Sequence, residues 1–503
     1  MNSRMKRRDF LKLAASLPLG YAVSRLGSEL QQKPQNILIV VFDAFSAYNI
    51  STYGYERQTT PNISRLLQKA IVYHNHYAGG NFTTPGTASL LTGVLPWTHR
   101  AFQPKGEVID AFTSQNIFSM FPEHYRIAYT HNGWANILLN QMAGHIDELI
   151  QREKLLLSAF DSVVPTLFRH DEDIASVSWA RAMKTEDDGF AYSLFLSRLS
   201  EELQARTLRS LKSVYPRGIP TSGADSGFLL ETAMDHLVKR LNAIPKPFMG
   251  YFHFLPPHDP YNTHRDFVDA FRSDGYKPIE KPVDLFAKRV FKQLPEKRRQ
   301  YDEYILYCDR EFNRLFEFLE SSGVLKDTWL VLTSDHGELN ERGISGHSTD
   351  AMYEPVVRIP LVIFEPGRTS RLDVHERTSA IDIVSTLASI VTQKTPSWGE
   401  GHMIPPFGAP EEMNSRNIYV VRANYNDRLA PLTVASTVLV KESYKFHYYF
   451  GYSNVPGDGL VKLFDVQADP EEMTDLAQTK KSTADELLHE LRTKLSEVDE
   501  PYR

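Results

Sequence analysis

Two stretches of the chain are apolar without interruption and then break into acid. Asn36-Ile37-Leu38-Ile39-Val40-Val41-Phe42 ends in Asp43, and Trp329-Leu330-Val331-Leu332-Thr333-Ser334 ends in Asp335-His336-Gly337-Glu338. Runs of this length without polar alternation read as strands covered on both faces, as in a parallel sheet. Phe248-Met249-Gly250-Tyr251-Phe252 and Arg126-Ile127-Ala128-Tyr129-Thr130 are also strand-like, and residues 304–320 are helix-like. Such stretches alternate from about residue 35 to residue 400, which predicts an α/β fold built on a doubly wound, mostly parallel sheet. After Pro405-Pro406 the pattern shortens: 417–422, 432–441, 444–449 and 463–466 read as short antiparallel strands and 483–498 as a charged helix. The chain is therefore expected to divide into a leader and linker over 1–33, a catalytic domain over 34–400 and a small C-terminal sheet-and-helix subdomain over 401–503. A variable helical insertion is expected over 136–245. Within it, Leu155-Leu156-Leu157 and residues 163–168 are apolar patches between charged runs, the pattern of helices packed on the domain, with a lid or lipid-facing surface as the alternative.

Ligands of open α/β sheets bind at the carboxyl ends of the strands, so Asp43 and Asp335-His336 arrive where an active site is expected. A third polar segment, Asn81-Phe82-Thr83-Thr84-Pro85-Gly86-Thr87-Ala88-Ser89-Leu90-Leu91-Thr92-Gly93, reads as a helix start, with Pro85 in the first turn and Thr83 or Thr84 as N-cap. Alone it is an ordinary capped helix, yet its free N–H groups would also face any anion beside the threonine hydroxyl. Two carboxylates, an imidazole and a hydroxyl together describe a divalent cation site. Those donors suit Zn²⁺ or Mn²⁺ better than Ca²⁺, which prefers an all-oxygen shell.

From about residue 34 to residue 480 the sequence resembles the sulfatases of the alkaline phosphatase superfamily. The likeness rests on Phe42-Asp43-Ala44, Tyr53-Gly54-Tyr55 with Thr60-Pro61-Asn62-Ile63, the Thr83 segment, and His253-Phe254-Leu255-Pro256-Pro257-His258-Asp259-Pro260-Tyr261. It continues through Ser334-Asp335-His336-Gly337-Glu338, Gly346-His347, Val357-Arg358-Ile359-Pro360-Leu361-Val362 and Leu463-Phe464-Asp465. The departures are as informative. The family's C/S-x-P-x-R motif, whose first residue is oxidised to formylglycine, here has Thr83 and Thr87 in place of the Cys/Ser and the Arg, and a threonine cannot become formylglycine. Ala44 stands where a second acid is usual, His336 where Asn is common, and His131-Asn132-Gly133-Trp134 where a sulfate-gripping Lys is found. The resemblance thus points to the threonine-nucleophile branch. It implies a metal held by Asp43, Thr83, Asp335 and His336, with Thr83 as nucleophile and His258 assisting the leaving group. His347, Thr84, His253 and Asn132 are the implied substrate contacts.

Composition adds boundaries. At 503 residues with 42% hydrophobic residues the chain can bury a large core, and a net charge of −6 offers no basic surplus for nucleic acid. Its single cysteine, Cys308, lies in the helix-like segment outside any formylglycine motif and is expected as buried packing. Lys6-Arg7-Arg8-Asp9-Phe10-Leu11-Lys12 followed by the apolar 13–23 stretch has the form of a twin-arginine export signal, cleaved or retained as an anchor, so the export machinery is an expected partner and the periplasm or exterior the expected destination. The function expected is metal-dependent hydrolysis of a phosphate diester or phosphonate ester, on a small-molecule or lipid-linked substrate. Sulfuric ester hydrolysis, phosphoryl-headgroup transfer and a silent binding relative are the alternatives.

Overall fold

The computed structural model describes residues 35–157, 209–221, 227–287 and 290–503, together with 199 and 206. The leader over 1–33, the 163–168 patch and much of the expected insertion lie outside the described residues. Strands β1 (Asn36–Phe42), β2 (Ile71–Tyr77), β3 (Tyr125–Thr130), β4 (Glu148–Leu149), β5 (Phe248–Phe254) and β6 (Thr328–Thr333) belong to one sheet. The short pair β7 (Asn340–Glu341) and β8 (Ile344–Ser345) stands apart, and β9 (Leu361–Phe364) and β10 (Leu372–Ser379) complete the large sheet in the order β10-β2-β9-β6-β1-β5-β3-β4. Only β9 runs against its neighbours, β2 and β6; every other pairing in this sheet is parallel.

The apolar runs are continuous because the sheet is covered on both faces, and the period of two sorts each strand between two cores. Leu38, Val40 and Phe42 of β1 join one cluster; Ile37, Ile39 and Val41 join the other. Helices α1 (Thr83–Thr92), α2 (Gly133–Gln141), α3 (Leu230–Ala243), α4 (Leu294–Ser321) and α5 (Asp382–Thr392) supply the covering layers. Leu230, Met234 and Leu237 of α3 and Ile305, Phe312 and Leu315 of α4 pack against the Val40 face. Leu90 and Leu91 of α1, Leu138 of α2 and Val384 of α5 pack against the Val41 face.

A second sheet, β11 (Ile418–Arg422), β12 (Ala435–Lys441), β13 (Tyr444–Phe450) and β14 (Leu460–Asp465), is antiparallel in that order. It is apolar on both sides. Leu439, Phe446 and Leu463 meet Leu487, Leu491 and Leu495 of α6 (Lys481–Asp499), while Val420, Val438 and Val440 meet Leu339, Met352 and Val356 of the larger unit. Of the apolar patch at 155–157, Leu155 and Leu156 are buried, and Leu156 packs with Phe228 and Leu255. Among the described residues no helix is long and apolar enough to cross a membrane.

Candidate active site

The alternation that builds the cores also builds the site. Ile37, Ile39 and Val41, then Asp43, share one face; on β5 the same face carries Met249, Tyr251 and His253; on β6 it carries Trp329 and Val331, with Asp335 two residues beyond the strand end. Because β5 and β6 flank β1, three polar side chains converge over the middle of the sheet. One ligand atom from each of Asp43, His253 and Asp335 lies within 4.8 Å of the others, and all three residues are buried. His253 Nε2 is 3.3 Å from Asp43 Oδ2 and 3.8 Å from Asp335 Oδ2.

His336 faces the same carboxylates, its Nε2 lying 3.4 Å from Asp43 Oδ1 and 3.5 Å from Asp335 Oδ2. Its Nδ1 is within 2.8 Å of the Gly337 carbonyl, which fixes the proton there and turns Nε2 to the cluster. Burial works against a charged His336, but Asp335 and Asp43 hold it up at about 9. Burial also raises Asp335, helped by the Asp43 charge, whereas on Asp43 the same burial is outweighed by His258, His253 and His336, which keep it well below the usual carboxylate range. Two buried carboxylates require a cation beside them, a proton or a metal ion. Asp43 Oδ1 and His253 Nε2 are buried without a hydrogen-bond partner, so the donor set fits a divalent cation, with His336 and Thr83 adjacent.

Thr83 opens α1, whose N-terminus abuts Asp335. A Cβ on Gly86 would lie 2.2 Å from the Asp335 carbonyl oxygen, so only glycine permits this approach. Thr87 donates to Asp335 Oδ2 at 3.3 Å. Thr83 Oγ1 lies 3.4 Å from His336 Nε2 and accepts from Asn132 Nδ2 at 3.2 Å; the same amide donates to Asp43 Oδ2 at 2.5 Å. Asn132 is oriented by capping α2, its Oδ1 accepting from the N–H groups of Trp134 and Ala135.

The expected threonine cap does not form. Phe82 is the N-cap and its ring has no acceptor to offer, while Thr83 and Thr84 lie inside the first turn, the Thr83 hydroxyl engaged by Asn132 and the Thr84 hydroxyl buried without a partner. Thr84 is fully buried and is not among the residues lining the cavity. That cavity, about 1020 Å³, opens over Thr83 and Asn132 and is walled by His258 and His347, whose rings meet edge to face at 4.7 Å. His347 Nδ1 lies 3.3 Å from both oxygens of Glu338, a buried acid pushed up to about 8, chiefly by burial. His258 turns Nδ1 to the Asp259 carbonyl, leaving Nε2 for the cavity.

The structure thus brings Asp43, Thr83, Asn132, His253, Asp335, His336, His258 and His347 into one region and leaves Thr84 aside. His253, read from sequence as a substrate contact, stands with the carboxylates instead. Its signal was available: it is the third same-face residue of a strand that pairs with β1. Gly86 and Thr87 were missed, since their importance lies in contact with a segment about 250 residues away. Cys308 is buried in α4 and far from any formylglycine role, its thiol pushed up by burial.

A sequence model described as Sulfatase matches residues 35–392, and one described as N-sulphoglucosamine sulphohydrolase, C-terminal, matches residues 347–501. The chain is 23% identical over 479 residues to the choline-sulfatase of Rhizobium meliloti (strain 1021), covering 90% of this chain and 84% of that protein. It is 22% identical over 507 residues to the multifunctional alkaline phosphatase superfamily protein PehA of Trinickia caryophylli, covering 88% and 91%. Among solved structures, the phosphonate monoester hydrolase of Agrobacterium radiobacter is similar at a TM-score of 0.65 and 16% identity, covering 92% of this chain and 96% of that one. At that identity the likeness speaks for the fold.

Proposed function

The chain belongs to the sulfatase family, and from that premise we propose a metal-dependent hydrolase that cleaves a phosphate diester or phosphonate ester through Thr83. One observation carries this reading. The hydroxyl at the start of α1, held by Asn132 beside the Asp43, His253 and Asp335 donors, belongs to a threonine, which cannot supply the formylglycine hydrate of a sulfatase. Asp43, His253, Asp335 and His336 would hold one divalent cation, Zn²⁺ or Mn²⁺ in preference to Ca²⁺ given the imidazole donors. When bound, the ion acts as a Lewis acid that lowers the pKa of the Thr83 hydroxyl and offsets charge on a non-bridging oxygen.

Thr83, its hydroxyl proton released to solvent, then attacks phosphorus as its alkoxide. The new Oγ–P bond forms as the bond to the leaving oxygen breaks, and protonated His258 gives its proton to the departing alcohol. The first N–H groups of α1 and the His347 ring face the phosphoryl oxygens. Water next attacks the phosphothreonine, His258 taking its proton, and the P–Oγ bond breaks to restore Thr83 and the acid form of His258. The leader over 1–33 would deliver the enzyme by twin-arginine export.

Thr83→Ala is expected to abolish turnover while leaving fold and metal content largely intact, because the covalent route disappears. Enzyme quenched during turnover of an aryl phosphate diester should carry one phosphoryl group on the peptide holding Thr83. A Thr83→Ala enzyme of near-normal rate, or a label on Thr84, would overturn the assignment. Sulfuric ester hydrolysis is the second reading, favoured by the likeness to choline-sulfatase. An aryl sulfate that outran every phosphate and phosphonate ester of a broad panel would install it.

A further inference from the structure

The loop between β7 and β8 is Arg342-Gly343, and both residues have positive φ, 55° and 77°, the backbone of the tight hairpin turn that fixes strand register. The register sets Asn340 opposite Ser345 and Glu341 opposite Ile344. Past the named strands it holds for one more step, the Gly346 N–H donating to the Leu339 carbonyl at 2.8 Å. The next pair in that register is Glu338 and His347, which therefore meet as cross-strand neighbours. The Ser345 hydroxyl donates across the hairpin to Asn340 Oδ1 at 2.9 Å, and His347 Nδ1 lies 3.3 Å from each Glu338 oxygen.

The Glu338 side chain is fully buried and, among the described residues, has no other hydrogen-bond partner. A buried acid is costly unless its partner compensates it, so this one contact is what accounts for a carboxyl group at the position. Both backbones are fixed as well. The Glu338 N–H donates to the Pro355 carbonyl at 2.8 Å, and a Cβ on Gly337 would lie 2.1 Å from the same oxygen. The His347 carbonyl accepts from Asn81 at 3.3 Å, in the segment that leads into Thr83. The ring so held stands between His336 and His258, its centroid 4.3 and 4.7 Å from theirs. We propose that Glu338 is the positioning residue of the site: it takes up Nδ1 of His347 and so presents Nε2 to the phosphoryl oxygens, where charge builds as the ester breaks. This rests on the hydrolase reading above and adds a residue to its machinery.

The test uses the metal-loaded full-length enzyme and whichever member of the phosphate, phosphonate and sulfate ester panel is turned over fastest. Glu338→Leu removes the acceptor, whereas Glu338→Gln keeps an oxygen that can accept from Nδ1–H. Glu338→Leu should lower kcat by about 100-fold while KM moves by less than about threefold and metal content stays that of the parent. Glu338→Gln should recover to within about tenfold of the parent. In a His347→Ala enzyme, adding Glu338→Leu should cost less than about threefold more, because the group it positions is gone. The panel reads the ester class, Thr83→Ala the nucleophile and this cycle the role of Glu338, so the proposals fail separately. A full cost of Glu338→Leu in the His347→Ala enzyme, a Glu338→Gln enzyme as slow as Glu338→Leu, or loss of the metal from Glu338→Leu would overturn the assignment.

Discussion

His253 and His336 face the same pair of carboxylates but are held in different ways. The Nδ1 of His336 is committed to a backbone carbonyl at 2.8 Å, whereas the Nδ1 of His253 lies 3.4 Å from the Tyr251 hydroxyl and its Nε2 has no hydrogen-bond partner. A buried imidazole nitrogen left without a partner costs free energy unless something occupies it. His253→Ala is therefore expected to weaken divalent-metal affinity by more than the roughly 100-fold that outer-shell changes cost. Elemental analysis of the dialysed variant checks this, and full occupancy would move the site to other residues. The sequence made Asp43, Asp335 and His336 legible, since each follows an unbroken apolar run. His253 was harder to place because it lies inside a strand, and only the pairing of β5 with β1 turns it toward Asp43.

Helix α1 is set in place by glycine rather than by a cap. Its first turn can approach the Asp335 backbone only because Gly86 has no Cβ. Gly86→Ala should push the start of the helix away by a large fraction of an ångström, and a displacement of about 1 Å at a reacting group costs on the order of 100-fold in rate. The expected result is a kcat lower by about that factor with the metal retained. Gly144→Ala, where a Cβ would meet nothing within 4 Å, is the control expected to match the parent in steady-state kinetics. Helix α4 shows why element boundaries were less legible than element types. Its expected extent, 304–320, grew to Leu294–Ser321. The missing turns carry Arg298, Arg299, Asp302 and Glu303, charged residues that a hydrophobic pattern assigns to solvent. They are buried or half-buried by pairing: Arg298 with Glu341 at 2.8 Å, Asp302 with Arg57 at 2.9 Å and Arg299 with Glu303 at 2.6 Å. Polar periodicity is silent when the polar groups satisfy one another.

At the scale of the whole molecule, the alternation of apolar runs was enough to give a mostly parallel sheet and a later antiparallel one, because both follow from the period of burial. The joint between them was less legible, since beside the apolar contacts of Val420, Val438 and Val440 it holds buried charge. Lys445 of β13 is fully buried, with Glu354 at 3.0 Å and Glu472 at 2.9 Å, and His447 lies 3.4 Å from Glu472. Arg422 of β11 reaches further, pairing with Asp350 at 2.8 Å and donating to Asn81, whose own amide donates to the His347 carbonyl. Stability of the small sheet is thus tied to the loop that carries His347. Removing one partner from a buried ion pair leaves an uncompensated charge and typically costs about 3–5 kcal/mol. Glu472→Gln should fall at the lower end, because Lys445 keeps Glu354. Lys445→Met should fall at the upper end, because it strands two carboxylates. Burial alone would raise the Glu472 carboxyl, but Lys445 and His447 hold it below its ordinary value. Its contribution is therefore present above the unfolded pKa of about 4.3 and fades as the pH falls below it. Urea unfolding at neutral pH should show the deficit of the Glu472→Gln protein, and the gap to the parent should narrow on acidification. A gap that stayed constant down to acid pH would mean that the carboxylate charge is not what binds the two sheets together.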